Sequence, residues 1–173
     1  MAATGLSEIL ALAGLPKGSL YHYFPGGKEE LIREALQSYK NWLAEGFKSK
    51  MKGNSTAEGG LTGIVDYFIE DLKASQFTAG CPIATVALES NADLPGIAMA
   101  VREVMDYWIA SLSAYLQYKG MAGKRCTAEE FIIQLEGALI MARIYQTSAP
   151  LEKLKLKIKN ILQDDHTPQI AKL

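Results

Sequence analysis

The chain has 173 residues, a formal net charge of −1, 49% apolar residues and 21% charged residues. A chain of that length buries about 70% of its unfolded surface, so a core forms without metal or disulfide. The composition excludes a disordered or collagen-like polypeptide. No apolar run reaches the roughly 18 residues of a membrane span, and residues 1–20 lack the basic-then-apolar pattern of a signal peptide. A cytoplasmic protein without a membrane partner is therefore expected. Cys81 and Cys126 have no second Cys or His at ligand spacing, which reads as two reduced thiols, no metal and no cofactor. Near-zero charge gives no global pull towards nucleic acid, so any such binding must be local. Residues 1–52 carry seven Lys/Arg against five Asp/Glu, and the remainder eleven against fourteen.

In chain order, residues Thr4 to Phe24 hold two short helical patterns around a tight turn. Leu6, Ile9, Leu10 and Ala13 form the apolar face of the first. Gly14 supplies the freedom to leave it, and Leu15 is placed to plug the angle between the two. Pro16 suits the start of the second, in which Leu20 and Phe24 face inward while Lys17, Ser19, Tyr21, His22 and Tyr23 project elsewhere. This is the pattern of a helix-turn-helix, whose second helix lies in the DNA major groove.

Leu61, Ile64, Val65, Phe68, Ile69 and Leu72 then follow one helix face, opened by a capping box at Ser55-Thr56-Ala57-Glu58. A second run after Pro95 comprises Ile97, Val101, Val104, Met105, Trp108, Leu112, Tyr115 and Leu116, ending near Lys119-Gly120. A third helix starts at Thr127-Ala128-Glu129-Glu130 and runs to about Thr147. Pro150 opens the last, with Leu151, Leu154, Ile158, Ile161 and Leu162 on one face. Lys153 to Lys159 alternates with a period of two, but a lone strand would have no partner, so helix is expected here too. The fold class is all-α. The helix after Thr127 is apolar nearly all round, and the cover expected in so short a chain is a second subunit.

The run Ile9-Leu10-Ala11-Leu12-Ala13-Gly14-Leu15-Pro16-Lys17-Gly18-Ser19-Leu20-Tyr21-His22-Tyr23-Phe24, with Lys28-Glu29-Glu30-Leu31 after it, resembles the DNA-binding signature of the TetR family of bacterial transcriptional repressors. The match is dense over residues 4–36. The stretch Gly80-Cys81-Pro82-Ile83-Ala84-Thr85-Val86-Ala87-Leu88-Glu89 resembles the subgroup that includes the lincomycin-resistance repressor. The resemblance implies a helix-turn-helix head with a linking helix over residues 1–50. A ligand-binding and dimerisation body over 51–173 would follow, its last two helices pairing with those of a second subunit. The family places a further helix before Thr4, and the chain as it begins at Met1 has no room for it. Leu6, Ile9, Leu10 and Phe24 would then lose part of their apolar cover.

Physical roles follow for the head. Gly18 permits close approach to DNA at the start of the second helix, where free N–H groups point towards phosphate. Lys17, Ser19 and His22 are placed for base edges, and Tyr21 and Tyr23 can donate hydroxyls to phosphate. Thr4 sits at a helix N-cap that can also touch phosphate, and Lys28 resembles the family's phosphate-clamping lysine.

For the body, Phe68, Leu72, Cys81, Leu88, Met99, Trp108, Met141 and Tyr145 are candidate walls of a pocket for a small apolar or aromatic effector. Glu89 is a candidate to orient that ligand. Leu135, Leu139, Arg143, Leu154 and Ile158 are candidate dimer contacts, Arg143 as an interface charge or a ligand partner. Cys81 reads as an inert thiol, since no basic neighbour supports a thiolate.

Enzyme readings fare poorly. His22 is claimed by the helix-turn-helix and His166 lies in a polar tail. No phosphate loop, nucleophile elbow or metalloprotease helix occurs. Two readings stand. One is a homodimeric, ligand-responsive repressor on a palindromic double-stranded DNA operator. The other is a helical small-molecule-binding dimer whose shortened head no longer binds DNA.

Overall fold

The computed structural model describes residues 6–16, 18–89, 95–121 and 125–163. Eight helices stand among the described residues, with no strand: α1 (Leu6–Leu12), α2 (Ser19–Tyr23), α3 (Gly27–Met51), α4 (Ala57–Ala74), α5 (Pro82–Glu89), α6 (Pro95–Tyr118), α7 (Arg125–Tyr145) and α8 (Ala149–Gln163). They divide into two compact units. One comprises residues 1–42 and 82–105, the other 43–81 and 106–173. The boundary expected at residue 50 lies inside α3, whose first part belongs to one unit and whose last turns belong to the other.

In the first unit Leu10, Leu20, Ile32, Leu36, Ile83, Val86, Ile97 and Val104 are buried. α1 stops as a Schellman motif. Gly14 takes φ +65°, its N–H reaches the Ala11 carbonyl at 3.1 Å, and the Leu15 N–H reaches the Leu10 carbonyl at 2.9 Å. Leu15 does not plug the angle between α1 and α2. It is 46% exposed, because the left-handed residue before it turns the chain outward. Leu10 is buried, whereas Ile9 and Phe24 are only partly covered, so of the four residues expected to lose apolar cover Leu10 keeps it. The side chain of Leu6 lies outside the described residues. α3 begins where the Gly26 N–H donates to the Glu30 carboxylate at 2.7 Å, which satisfies one of the free amides at the helix start.

The core of the second unit is α4 packed against α7 and α8. The six apolar positions read along residues 61–72 are all buried on α4. The cap of α4 is Thr56 rather than Ser55: Thr56 Oγ1 accepts from the Gly59 N–H at 3.1 Å. α7 starts at Arg125, two residues before the expected cap, so Thr127 is an interior, buried residue. Phe131, Leu135, Leu139 and Ala142 form its buried stripe. Residues 153–159 are helical in α8, where Lys155 donates to Asp66 of α4 at 2.7 Å and pairs with Glu152 at 3.2 Å. α6 ends at Tyr118, and Gly120 just beyond it takes φ +82°, as the Lys-Gly sequence predicts. Lys119 then donates to the Asn54 carbonyl at 2.6 Å.

Candidate functional site

The head presents a consistent polar and aromatic face. Leu20 anchors α2 in the core, which leaves its neighbours on the outer side. Tyr21 is 63% and Tyr23 66% exposed, so neither is a core aromatic. His22 and Lys28 are exposed, and Ser19 is partly exposed. The His22 and Tyr23 rings meet edge to face at 5.0 Å, which holds both on one short helix. Gly18 is exposed, with no atom of the described residues near a Cβ built on it, so a nucleic-acid backbone can approach closely there. One expected contact is altered. The Ser19 N–H already donates to the Pro16 carbonyl at 2.9 Å, so it is not a free donor for phosphate. Thr4 and Lys17 lie outside the described residues.

The second unit contains a cavity of about 270 Å³. Its walls come from the end of α3 (Phe47), from α4 (Ile64, Phe68), from α6 (Trp108, Leu112) and from α7 (Phe131, Leu135). Phe47 organises the aromatic side: its ring meets Phe68 at 5.7 Å and Trp108 at 6.4 Å between centroids. These side chains converge because α4 and α7 each turn one apolar stripe towards the same interior. Glu45 and Lys48 stand at the rim, 3.9 Å apart and largely exposed, so they neutralise each other in solvent.

Glu136 is different. It lines the cavity from α7, and its Oε2 is buried without a hydrogen-bond partner among the described residues. Burial raises its carboxyl above the ordinary value, and a hydrogen bond from the Cys81 side chain offsets part of that rise. No group of His, Cys, Asp or Glu able to hold a metal occurs among the described residues.

Of the expected ligand residues, the structure brings Phe68 and Trp108 to the cavity. Cys81 is buried and reaches it only through Glu136, while Leu72 is plain core. Leu88, Glu89 and Met99 are exposed and belong to the first unit, so they wall no part of this cavity. Met141 and Tyr145 lie instead on an open groove along α7 and α8.

Leu135, Leu139, Leu154 and Ile158 are buried in the chain's own core, which removes them as the face offered to a partner. Arg143 is exposed, and its Cδ would lie 2.8 Å from a Cβ at Gly80, so its stem packs on that glycine's backbone. Sequence reasoning missed Phe47, Phe131 and Glu136 as cavity residues. The available signal for Glu136 was a lone carboxylate in the largely apolar run Phe131 to Ala142, whose only other polar side chain is Gln134.

Two family models match the chain, one at each end. Residues 1–35 match the model of bacterial regulatory proteins of the tetR family. Residues 57–156 match the C-terminal domain of LmrA/YxaF-like transcriptional regulators. The HTH-type transcriptional regulator Rv0196 of Mycobacterium tuberculosis is 32% identical, covering 92% of this chain and 84% of its own. The HTH-type transcriptional regulator LmrA of Bacillus subtilis is 25% identical, covering 92% and 86%. The regulatory protein TetR from Rhodobacter sphaeroides superimposes with a TM-score of 0.81 at 25% identity, over 92% of this chain and 88% of that one. With a helix-turn-helix head, an all-helical body and both family models matched, the chain belongs to the TetR family of transcriptional regulators, with an LmrA/YxaF-like C-terminal domain, and is not an enzyme.

Proposed function

We propose that the protein is a dimeric repressor that binds a palindromic operator and is released by a small, largely apolar effector held in the body. The observation that carries this reading is the partly open aromatic cavity of about 270 Å³, walled by Phe47, Phe68, Trp108 and Phe131. Each head sets Ser19, His22 and the two tyrosines of α2 in a major groove, with Lys28 on phosphate. Half-sites then lie about one helical turn apart, roughly 34–36 Å, or a multiple of it.

Dimerisation is supported by a stripe on α7 that the described residues leave exposed. Ile133, Ile140 and Ile144 are exposed, and Gly137 between them has nothing near its Cβ position. That spacing of seven and four residues makes one helix face, opposite the buried stripe. On α8, Leu156 is 83% exposed. The effector acts by favouring a spacing of heads that no longer fits the operator, which takes a coupling of about 1–3 kcal/mol, or roughly 5–150-fold in affinity.

Fluorescence anisotropy with a pool of random-centred DNA palindromes tests this reading. Affinity should fall steeply with salt and be abolished by Tyr21→Ala with Lys28→Ala. Filling the cavity from its exposed rim with Ser111→Trp should weaken DNA binding without unfolding the chain. Salt-insensitive binding, or binding unaffected by the double substitution, overturns it.

A further inference from the structure

The cavity's chemistry goes further than its apolar walls, and the inference that follows rests on the cavity being the effector site. We propose that the effector is an organic cation: a flat body of about two rings carrying one protonated nitrogen, which pairs with Glu136.

The size argument comes first. A cavity of about 150 Å³ lined by apolar side chains holds one benzene. The volume here, about 270 Å³, accommodates two fused or linked rings.

The charge argument is stronger. Of the charged side chains lining this space, Glu45 and Lys48 sit in solvent at the rim and offset each other. Glu136 is the acid set into the wall, and its Oε2 has no partner among the described residues. The hydrogen bond from the Cys81 thiol is a weak one and leaves acceptor capacity over. A carboxylate oxygen buried without a partner, as Oε2 is, is costly, and a bound cation relieves that cost. The surrounding rings of Phe47, Phe68, Trp108 and Phe131 present negative faces, which also favour a cation over an anion. An anionic effector would meet Glu136 with no buried lysine, arginine or histidine among the lining residues to compensate it.

Three isosteric probes test this: 1-naphthylmethylamine, which is protonated at neutral pH, neutral 1-naphthylmethanol, and anionic 1-naphthoate. Each is titrated calorimetrically into the full chain, as wild type and as Glu136→Gln, Glu136→Asp and Ser111→Trp, with thermal unfolding confirming that each variant folds. The amine should bind wild type about tenfold or more tighter than the alcohol, since a charge-assisted hydrogen bond is worth more than one tenfold step. In Glu136→Gln that preference should vanish while the alcohol is unchanged. Glu136→Asp, which keeps the charge, should retain part of it. Tighter binding of naphthoate, equal binding of all three, or an amine preference that survives Glu136→Gln overturns the proposal. Equal binding that Ser111→Trp abolishes leaves the cavity as the effector site and removes only the cation. Failure of all three probes to bind wild type, or binding that Ser111→Trp leaves untouched, overturns the cavity reading as well.

Discussion

The Cys81 side chain is hydrogen-bonded to the carboxyl of Glu136, joining the residue before α5 to the wall of the cavity on α7. Cys81 is buried, and a carboxylate neighbour disfavours a thiolate, so the geometry is that of a structural thiol rather than a reactive one. In a Cys126→Ser background, a disulfide reagent should label native Cys81 far more slowly than the urea-unfolded chain. Labelling at the unfolded rate would show that the segment opens readily and that the thiol is accessible to oxidants.

The same pair makes stability depend on pH through Glu136. Burial raises its carboxyl in the folded state, so the folded chain holds this proton more tightly than the unfolded chain. Its contribution is therefore most favourable below the unfolded value, about 4.3, and is lost as pH rises through the higher folded value. The neighbouring charges, Glu45 and Lys48 on α3, are exposed and screened, so they alter this little. Glu136→Gln keeps an acceptor for Cys81 but cannot ionise. It should be more stable than wild type at neutral pH, and the advantage should shrink towards zero in acid, as urea titrations across this range would show. An advantage independent of pH would mean that packing, not ionisation, sets the difference.

Gly60 is held against Tyr115. A Cβ at Gly60 would collide with the Tyr115 hydroxyl, which donates to the Thr56 carbonyl at 3.3 Å. Replacing a helical glycine by alanine ordinarily gains about 1 kcal/mol. Here Gly60→Ala should instead cost about 1–3 kcal/mol, the usual penalty of overpacking. In a Tyr115→Leu background most of that cost should disappear, so a double-mutant cycle by chemical denaturation should show strong coupling.

Thr56 caps α4 and Ser55 does not, so Thr56→Ala should lose about 1 kcal/mol while Ser55→Ala stays near neutral. The sequence offered both hydroxyls one residue apart, and the Ser-x-x-Glu spacing favoured the wrong one. The cap was legible as a feature but not to the residue, because a shift of one position changes neither the apolar period nor the turn composition.

Long apolar stripes were legible for the same reason that they fold. The period of Leu61 to Leu72 both marks a helix and dictates which face is buried. The head was readable because Gly14, Leu20 and the exposed tyrosines have local causes within some twenty residues. The cavity was not. Phe47, Trp108, Phe131 and Glu136 come from three helices separated by up to 90 residues, and nothing local distinguishes a core aromatic from a wall aromatic. Periodicity also misassigned α7. Its Leu135 and Leu139 were read as facing a partner because the helix is apolar on every side. Only packing tells which apolar side the chain covers for itself.

That distinction sets the last prediction. Ile144 and Leu156 are 64% and 83% exposed, whereas Leu139 is buried. Surface substitutions that break no buried contact usually change stability by less than about 0.5 kcal/mol. Ile144→Lys with Leu156→Lys should therefore leave the fold of a single chain nearly unchanged, yet remove apolar area that only a second subunit can cover. Light scattering after size exclusion should show dimer for wild type and monomer for the double variant. Operator affinity should fall with it, because one head reads only half a palindrome. Leu139→Lys should unfold the chain, since it places an unpaired charge in the core. A double variant that remains dimeric would place the interface elsewhere. A wild type that is monomeric at working concentration would leave the α7 stripe without a partner and withdraw the two-headed repressor.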